Sequence, residues 1–387
     1  MRRLRTASPR RLALIAATAV ALAGGAVGIA QAVGDNAKPA PKPLAQAIYD
    51  AAHAPAVQGI TARISFTNNL LPSGSLPNGT GSPIITGATG RLWLTGDGRI
   101  RLELQSDAGD AQVLSDGKTF SIYDASSNTV YRGALPQDSH DAKPERPLTL
   151  ARIQDYLAQL AKTWTLSGAT PTNTAGRPSY TMRIAPKDDG GLLGAAELAW
   201  DAARGVPLRA AIYAQGQTAP VLELKATHIS YGKIARSDVD VRPPSGAKVV
   251  ELNPKLGRDA HGNPTEVHGL AAVQKQVDFP VSAPGTLAGL PRRDVRLIQL
   301  ESANGALVTY GEGIGAILVF EQKADGQSQT PVPAGLRLPT VNIDGATGTE
   351  LGTALGTIVG FERDGVAYTV AGSVPPLAAE NAARGLK

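Results

Sequence analysis

The chain has 387 residues, no cysteine, 4% aromatic residues and a formal net charge of +5. Arg2, Arg3, Arg5, Arg10 and Arg11 all precede the first acidic residue, Asp35, and setting those five aside leaves 33 of the 38 Lys and Arg against 33 Asp and Glu. A neutral body with no basic stripe interleaved with aromatics excludes nucleic acid as a partner, and the lack of cysteine excludes a disulfide-stapled fold and a lipid-attachment cysteine.

The leader comes first. Leu12 to Gly34 is uncharged, and Ala30-Gln31-Ala32 supplies the small-x-small pattern that a signal peptidase reads before a polar, Pro-rich stretch. The run is also long enough to cross a bilayer as one helix. Residues 1–34 therefore read either as a signal peptide cleaved after Ala32 or as a retained N-terminal membrane anchor. The positive flank keeps the N-terminus in the cytoplasm, and both readings place residues 35–387 outside it. Residues 35–43 read as a short stiff tether. The remaining length suggests two domains.

Leu44, Ala47, Ile48, Ala51 and Ala52 recur at helical spacing, predicting a helix over 43–54. Thr61–Thr67 alternates as a strand, and Leu70–Pro83 is a Gly-, Pro- and Ser-rich loop. From Gly90 to Tyr131, five alternating segments separated by Asp97-Gly98, Asp107–Asp110, Asp116-Gly117 and Asp124–Asn128 predict an antiparallel meander. Leu150, Ile153, Leu157 and Leu160 then mark one helix, with Thr149 as its cap. Strands resume at Tyr180–Ile184, Ala195–Trp200, Pro207–Tyr213 and Val221–Ser230. Residues 251–275 carry little periodicity and read as a linker. A second strand-rich unit follows over 276–387, with Asp-Gly turns at Asp325, Asp344 and Asp364 and a closing helix over Leu377–Leu386.

Nothing in these elements builds an enzyme. His53, His140, His228, His261 and His268 are scattered, without the i, i+4 spacing of a helical zinc site, and there is no Gly-x-Ser-x-Gly elbow. Asp116-Gly117-Lys118-Thr119 ends like a phosphate loop, yet Gln112 stands where that motif needs glycine and a strand follows where it needs a helix. Gly311-x-Gly313-x-Gly315 runs into a strand, which fits a hairpin turn or bulge rather than a dinucleotide fingerprint. Asp188-Asp189 is too sparse for a calcium loop. No cofactor is expected.

Gly90-Arg91-Leu92-Trp93-Leu94, Gly98–Glu103, Val113–Lys118 and Tyr123-Asp124, taken in order, resemble the outer-membrane lipoprotein carrier family, LolA. Tyr180–Ile184, Glu197–Asp201, Gly205–Leu208 and Val241–Pro244 with Ala247–Val249 resemble its second half, so the resemblance spans about 44–250. A LolA-like domain followed by a smaller one is also the layout of RseB, a sensor of envelope stress that restrains an anti-sigma factor. The Ala- and Gly-rich style resembles that of actinobacterial proteins.

The resemblance implies a mainly β, α+β fold. Residues 44–250 would form a curved antiparallel open half-barrel with a helical lid, and 276–387 a second, small antiparallel α+β domain. Its concave apolar face would hold acyl chains of a lipid or lipidated protein. The alternation assigns that face to Leu92, Leu94, Ile100, Leu102, Leu104, Phe120, Ile122, Met182, Ile184, Leu198, Trp200, Ile212, Leu222 and Leu224, with Ile153, Tyr156, Leu157 and Leu160 as the lid. The same residues fit a filled core equally well. An exported, non-enzymatic binding protein is expected; the alternative is an RseB-like module acting on a membrane-bound regulator. Membrane association would run through an uncleaved N-terminus.

Overall fold

The computed structural model describes residues 37–72, 82–135, 148–187, 191–252, 267–299, 304–324 and 338–386. The leader with Ala30 and Ala32, the Asp188-Asp189 pair, the Asp325 turn, His140 and His261 lie outside them. Among the described residues no helix is long and apolar enough to cross a membrane.

The fold is mainly β, in two sheets. The larger has thirteen strands: β1 (Gly59–Asn68), β2 (Ala88–Thr95), β3 (Ile100–Ser106), β4 (Gly109–Ser115), β5 (Thr119–Asp124), β6 (Thr129–Ala134), β7 (Trp164–Leu166), β8 (Thr170–Thr174), β9 (Arg177–Pro186), β10 (Leu193–Asp201), β11 (Pro207–Ala214), β12 (Leu222–Tyr231) and β13 (Lys248–Glu251). Its order is β13-β6-β5-β4-β3-β2-β1-β12-β11-β10-β9-β7, with β8 also on β9, and every pair is antiparallel except β13 with β6. The predicted meander is β2 to β6. β1 joins it to the β9–β12 half by pairing with both β2 and β12.

The turns form where the sequence placed them. Asp116 Oδ1 accepts from the backbone N–H of Lys118 and Thr119 and locks the β4–β5 hairpin, which disposes of the phosphate-loop reading. Gly205, at φ +65°, turns β10 into β11; a Cβ there would stand 2.3 Å from the carbonyl oxygen of Ala51, so only glycine fits.

Helix α1 (Leu44–Ala52) and the single-turn α2 (Pro83–Thr86) lie on one face of this sheet, and α3 (Leu150–Leu160) packs against α1. Thr149 caps α3, its hydroxyl accepting from the Arg152 N–H at 3.4 Å. The segment read as a tether is partly docked. Ala40 O accepts from the Tyr180 hydroxyl at 2.6 Å, Ala37 O accepts from Asn173, and Lys42 pairs with Asp50 at 2.5 Å.

The smaller sheet is a curled half-barrel of eight strands, β14 (Thr286–Leu287), β15 (Leu290–Gln299), β16 (Asn304–Tyr310), β17 (Ile317–Lys323), β18 (Thr340–Ile343), β19 (Ala346–Thr353), β20 (Gly356–Arg363) and β21 (Val366–Gly372). They run β14-β15-β16-β17-β21-β20-β19-β18, and α5 (Pro376–Arg384) buries Ala379, Ala382 and Ala383 against them. Residues 267–275, read from the sequence as linker, belong to this packing: α4 (Leu270–Gln274) places Val273 in its core. The helix is too short, between Gly269 and a polar run, to show a 3.6-residue period.

Candidate functional site

Side chains alternate across a strand, so the register decides which residues meet. Ile122 faces Val113, which faces Leu102, which faces Leu92, which faces Ala62, which faces Ile229. Leu94 faces Ile100, Leu104 faces Gly90, and Phe120 faces Ser115. A bulge in β12 beside Arg63 and Ile64 shifts the pairing without inverting the face, so Phe66 faces Leu224, then Ala210, Leu198 and Met182. Leu222 likewise leads through Ile212 and Ala196 to Ile184, and Trp200 faces Tyr180. All fourteen residues assigned to the apolar face share it.

They are not equally covered. Ile84 of α2 sits over a cluster of Ile60, Ile64, Leu104 and Leu208, against which Leu92, Leu94 and Leu102 pack. Ala47 of α1 sits over Tyr180 and Trp200, joined by Met182 and Leu198. Those seven residues are core. Ile100, Phe120, Ile122, Ile184, Ile212, Leu222 and Leu224 lie outside both clusters; six are half-buried and Leu224 is 40% exposed. Four of them, Ile184, Ile212, Leu222 and Leu224, form a contiguous apolar strip across β9 to β12.

The expected lid splits in the same way. Ile153 is buried and Leu157 and Leu160 are half-buried, whereas the Tyr156 ring, 52% exposed, covers nothing. The apolar stripe of α3 is spent largely on α1.

The opposite face is polar apart from a small buried cluster of Ala195, Ala211 and Tyr213. Glu197 accepts from Arg183 at 2.7 Å, from Arg209 at 2.6 Å and from the Tyr213 hydroxyl at 2.8 Å, and Arg209 also reaches Glu223. Burial pushes the Glu197 carboxyl up, but these hydrogen bonds outweigh it and hold the group below the ordinary carboxylate range. A strap over residues 232–243 crosses this face: Arg101 donates to Asp238 O, Arg99 pairs with Asp240, and Val239 is buried beneath. Under it lies a cavity of about 560 Å³ between Leu114, Val130, Arg132, Val241 and Pro243. Among the described residues no three His, Cys, Asp or Glu side chains are placed to hold a metal.

No family model matches the chain, and no curated protein matches it. Among solved structures, the Pseudomonas aeruginosa MucA/MucB complex aligns at 19% identity over 88% of this chain and 94% of that chain, with a TM-score of 0.41. MucB alone aligns at 18% identity over 88% and 96%, with a TM-score of 0.39. A putative outer membrane lipoprotein-sorting protein domain from Vibrio parahaemolyticus aligns at 9% identity over 47% and 89%, with a TM-score of 0.21.

Proposed function

We propose that the chain is an exported binding protein that holds acyl chains of a lipid or lipidated protein against the open part of its apolar sheet face. One observation carries this reading: Ile184, Ile212, Leu222 and Leu224 continue the core face beyond its covering helices and stay partly in water. Apolar surface left adjoining a core is a standing site for another apolar group, since burying it releases about 25 cal/mol per Å². The motif resemblance over 44–250 supports the same use, and the Arg-rich leader followed by an uncharged run supports export. The chemistry is sequestration, with no bond made or broken.

The test is a titration with a fluorescent fatty acid, run on wild type and Leu224→Gln. Saturable binding by wild type is expected, weakened about tenfold in the variant, because a polar amide in the strip forfeits roughly 1–3 kcal/mol of apolar contact. The denaturant midpoint should move little, Leu224 being exposed already. Absence of saturable binding by wild type would end the proposal.

The second reading, a regulatory module acting on a membrane-bound partner, draws on the two-sheet layout. The junction is specific: the Leu192 N–H donates to Ser373 O at 3.0 Å and the Ala354 N–H to Leu70 O at 2.9 Å.

A further inference from the structure

On the polar face of the larger sheet, Arg63 of β1 stands directly opposite Arg91 of β2 on one side and His228 of β12 on the other. Like charges opposite one another on neighbouring strands repel, and a sheet normally avoids or neutralises them. The rest of this face does so. Arg101 pairs with Glu103, Arg183 with Glu197, Arg209 with Glu197 and Glu223, and Arg132 with Glu251. Arg63 and Arg91 have no carboxylate within ion-pair distance among the described residues. Glu103, the cross-strand neighbour of Arg91, is turned instead to Arg101, with the Gln112 amide at 3.5 Å.

The surroundings are those of an anion site. Arg63, Arg91 and His228 line a concavity of about 250 Å³ together with Thr61, Trp93 and Ser230. Two guanidinium groups and the Thr61 hydroxyl supply donors, the Ser230 hydroxyl, donating at 3.4 Å to Thr61 O, would turn to join them, and no acidic side chain lines the space to attract a cation. Planar guanidinium donors match the oxygens of a phosphate, and two of them can grip a tetrahedral anion from different sides. The Trp93 ring is already stacked beneath Arg101, its centroid 4.9 Å from the guanidinium carbon, and forms a rigid wall.

We propose that this concavity binds a phosphate group, with Arg63 and Arg91 as its principal donors and His228, Thr61 and Ser230 completing the shell. The site lies on the sheet face opposite the apolar strip, so the proposal stands or falls independently of acyl binding. The phosphate could be carried by a membrane lipid headgroup or by a soluble molecule, and the experiment separates these sources.

The full chain is titrated calorimetrically with inorganic phosphate. In parallel it is sedimented with phosphatidylcholine vesicles, with and without phosphatidic acid. Each arm uses wild type, Arg63→Gln/Arg91→Gln, and Arg132→Gln as a control for loss of a guanidinium elsewhere on the same face. Saturable binding by wild type in at least one arm is expected, weakened tenfold or more in the double variant and less than twofold in Arg132→Gln. Binding of phosphate without preference for phosphatidic acid assigns a soluble ligand; the reverse assigns a lipid headgroup. The double variant should keep or raise the denaturant midpoint, since it removes a repulsion. No binding in either arm, or an equal loss in the double variant and Arg132→Gln, would overturn the proposal.

Discussion

At the scale of single residues, the most consequential one lies away from the apolar strip. Glu321 of β17 is fully buried between its register partners Ala306 and Tyr368, with its Oε2 accepting from the Ser282 N–H at 2.8 Å. Burial pushes its carboxyl up to about 8, only partly offset by that hydrogen bond. The folded protein thus keeps a proton that the unfolded chain releases near pH 4.5. The resulting stability is fully present below pH 4.5 and is lost as pH rises toward 8, with a limiting slope of about 1.4 kcal/mol per pH unit. Glu321→Gln should remove that slope, leaving the variant the more stable protein at pH 8.5 by an amount on the order of several kcal/mol. Denaturant midpoints between pH 5 and 8.5 check this, and parallel curves for the two proteins would refute it. The burial was legible, because Ile317, Val319 and Glu321 share one face under the two-residue period. The protonation was not, since it depends on there being no cationic partner beside the carboxyl in three dimensions among the described residues.

At the scale of elements, strands with apolar alternation and Asp-Gly punctuation could be read directly. β2 to β6 follow the predicted meander, and Asp344-Gly345 and Asp364-Gly365 form hairpins with positive φ at both residues. β7, β8, β13, β14 and β19 carry no strand prediction from the sequence. β8 is Thr-Pro-Thr-Asn-Thr, β19 is built largely of Gly and Thr, and β7 has three residues, so none displays an apolar period; each forms because a neighbour supplies a ladder. The α3 helix was placed correctly, yet its apolar stripe meets α1 more than the sheet. Replacement of buried Ile153 by Ala should therefore cost about 2–4 kcal/mol in denaturant unfolding, whereas Tyr156→Ala should cost under about 0.5 kcal/mol. Similar losses at both positions would mean that α3 presents a different face.

At the scale of the whole molecule, two sheets with separate cores support two folding units. The clusters around Ile60 and Trp200 contain no residue beyond 252, and that around Val308 contains none before 267. We expect fragments 35–252 and 267–387 to fold when expressed separately, each with its own cooperative transition. Circular dichroism melts check this; failure of both fragments to fold would show one interdependent structure. Residues 267–275 carry little periodicity in the sequence, yet α4 and the His268–Arg296 bridge tie them to the smaller sheet, so the second fragment is taken to begin at 267.

The apolar face is where sequence and structure part most instructively. Alternation predicts the face of all fourteen residues; Leu222 and Leu224 lie together on one side of the β12 bulge, where period two is interrupted, so the break between Ala226 and Ile229 does not touch them. Alternation could not tell which half is sealed by α1 and α2, because that depends on where two short helices land. The decisive measurement is photo-crosslinking of the full chain with a diazirine-bearing fatty acid, followed by mass-spectrometric mapping of the labelled peptides. We predict labelling concentrated on β9, β11 and β12 around Ile184, Ile212, Leu222 and Leu224, and suppressed by excess unlabelled fatty acid. Labelling that resists competition, or that falls on the polar face or the smaller sheet, would contradict acyl binding at this strip.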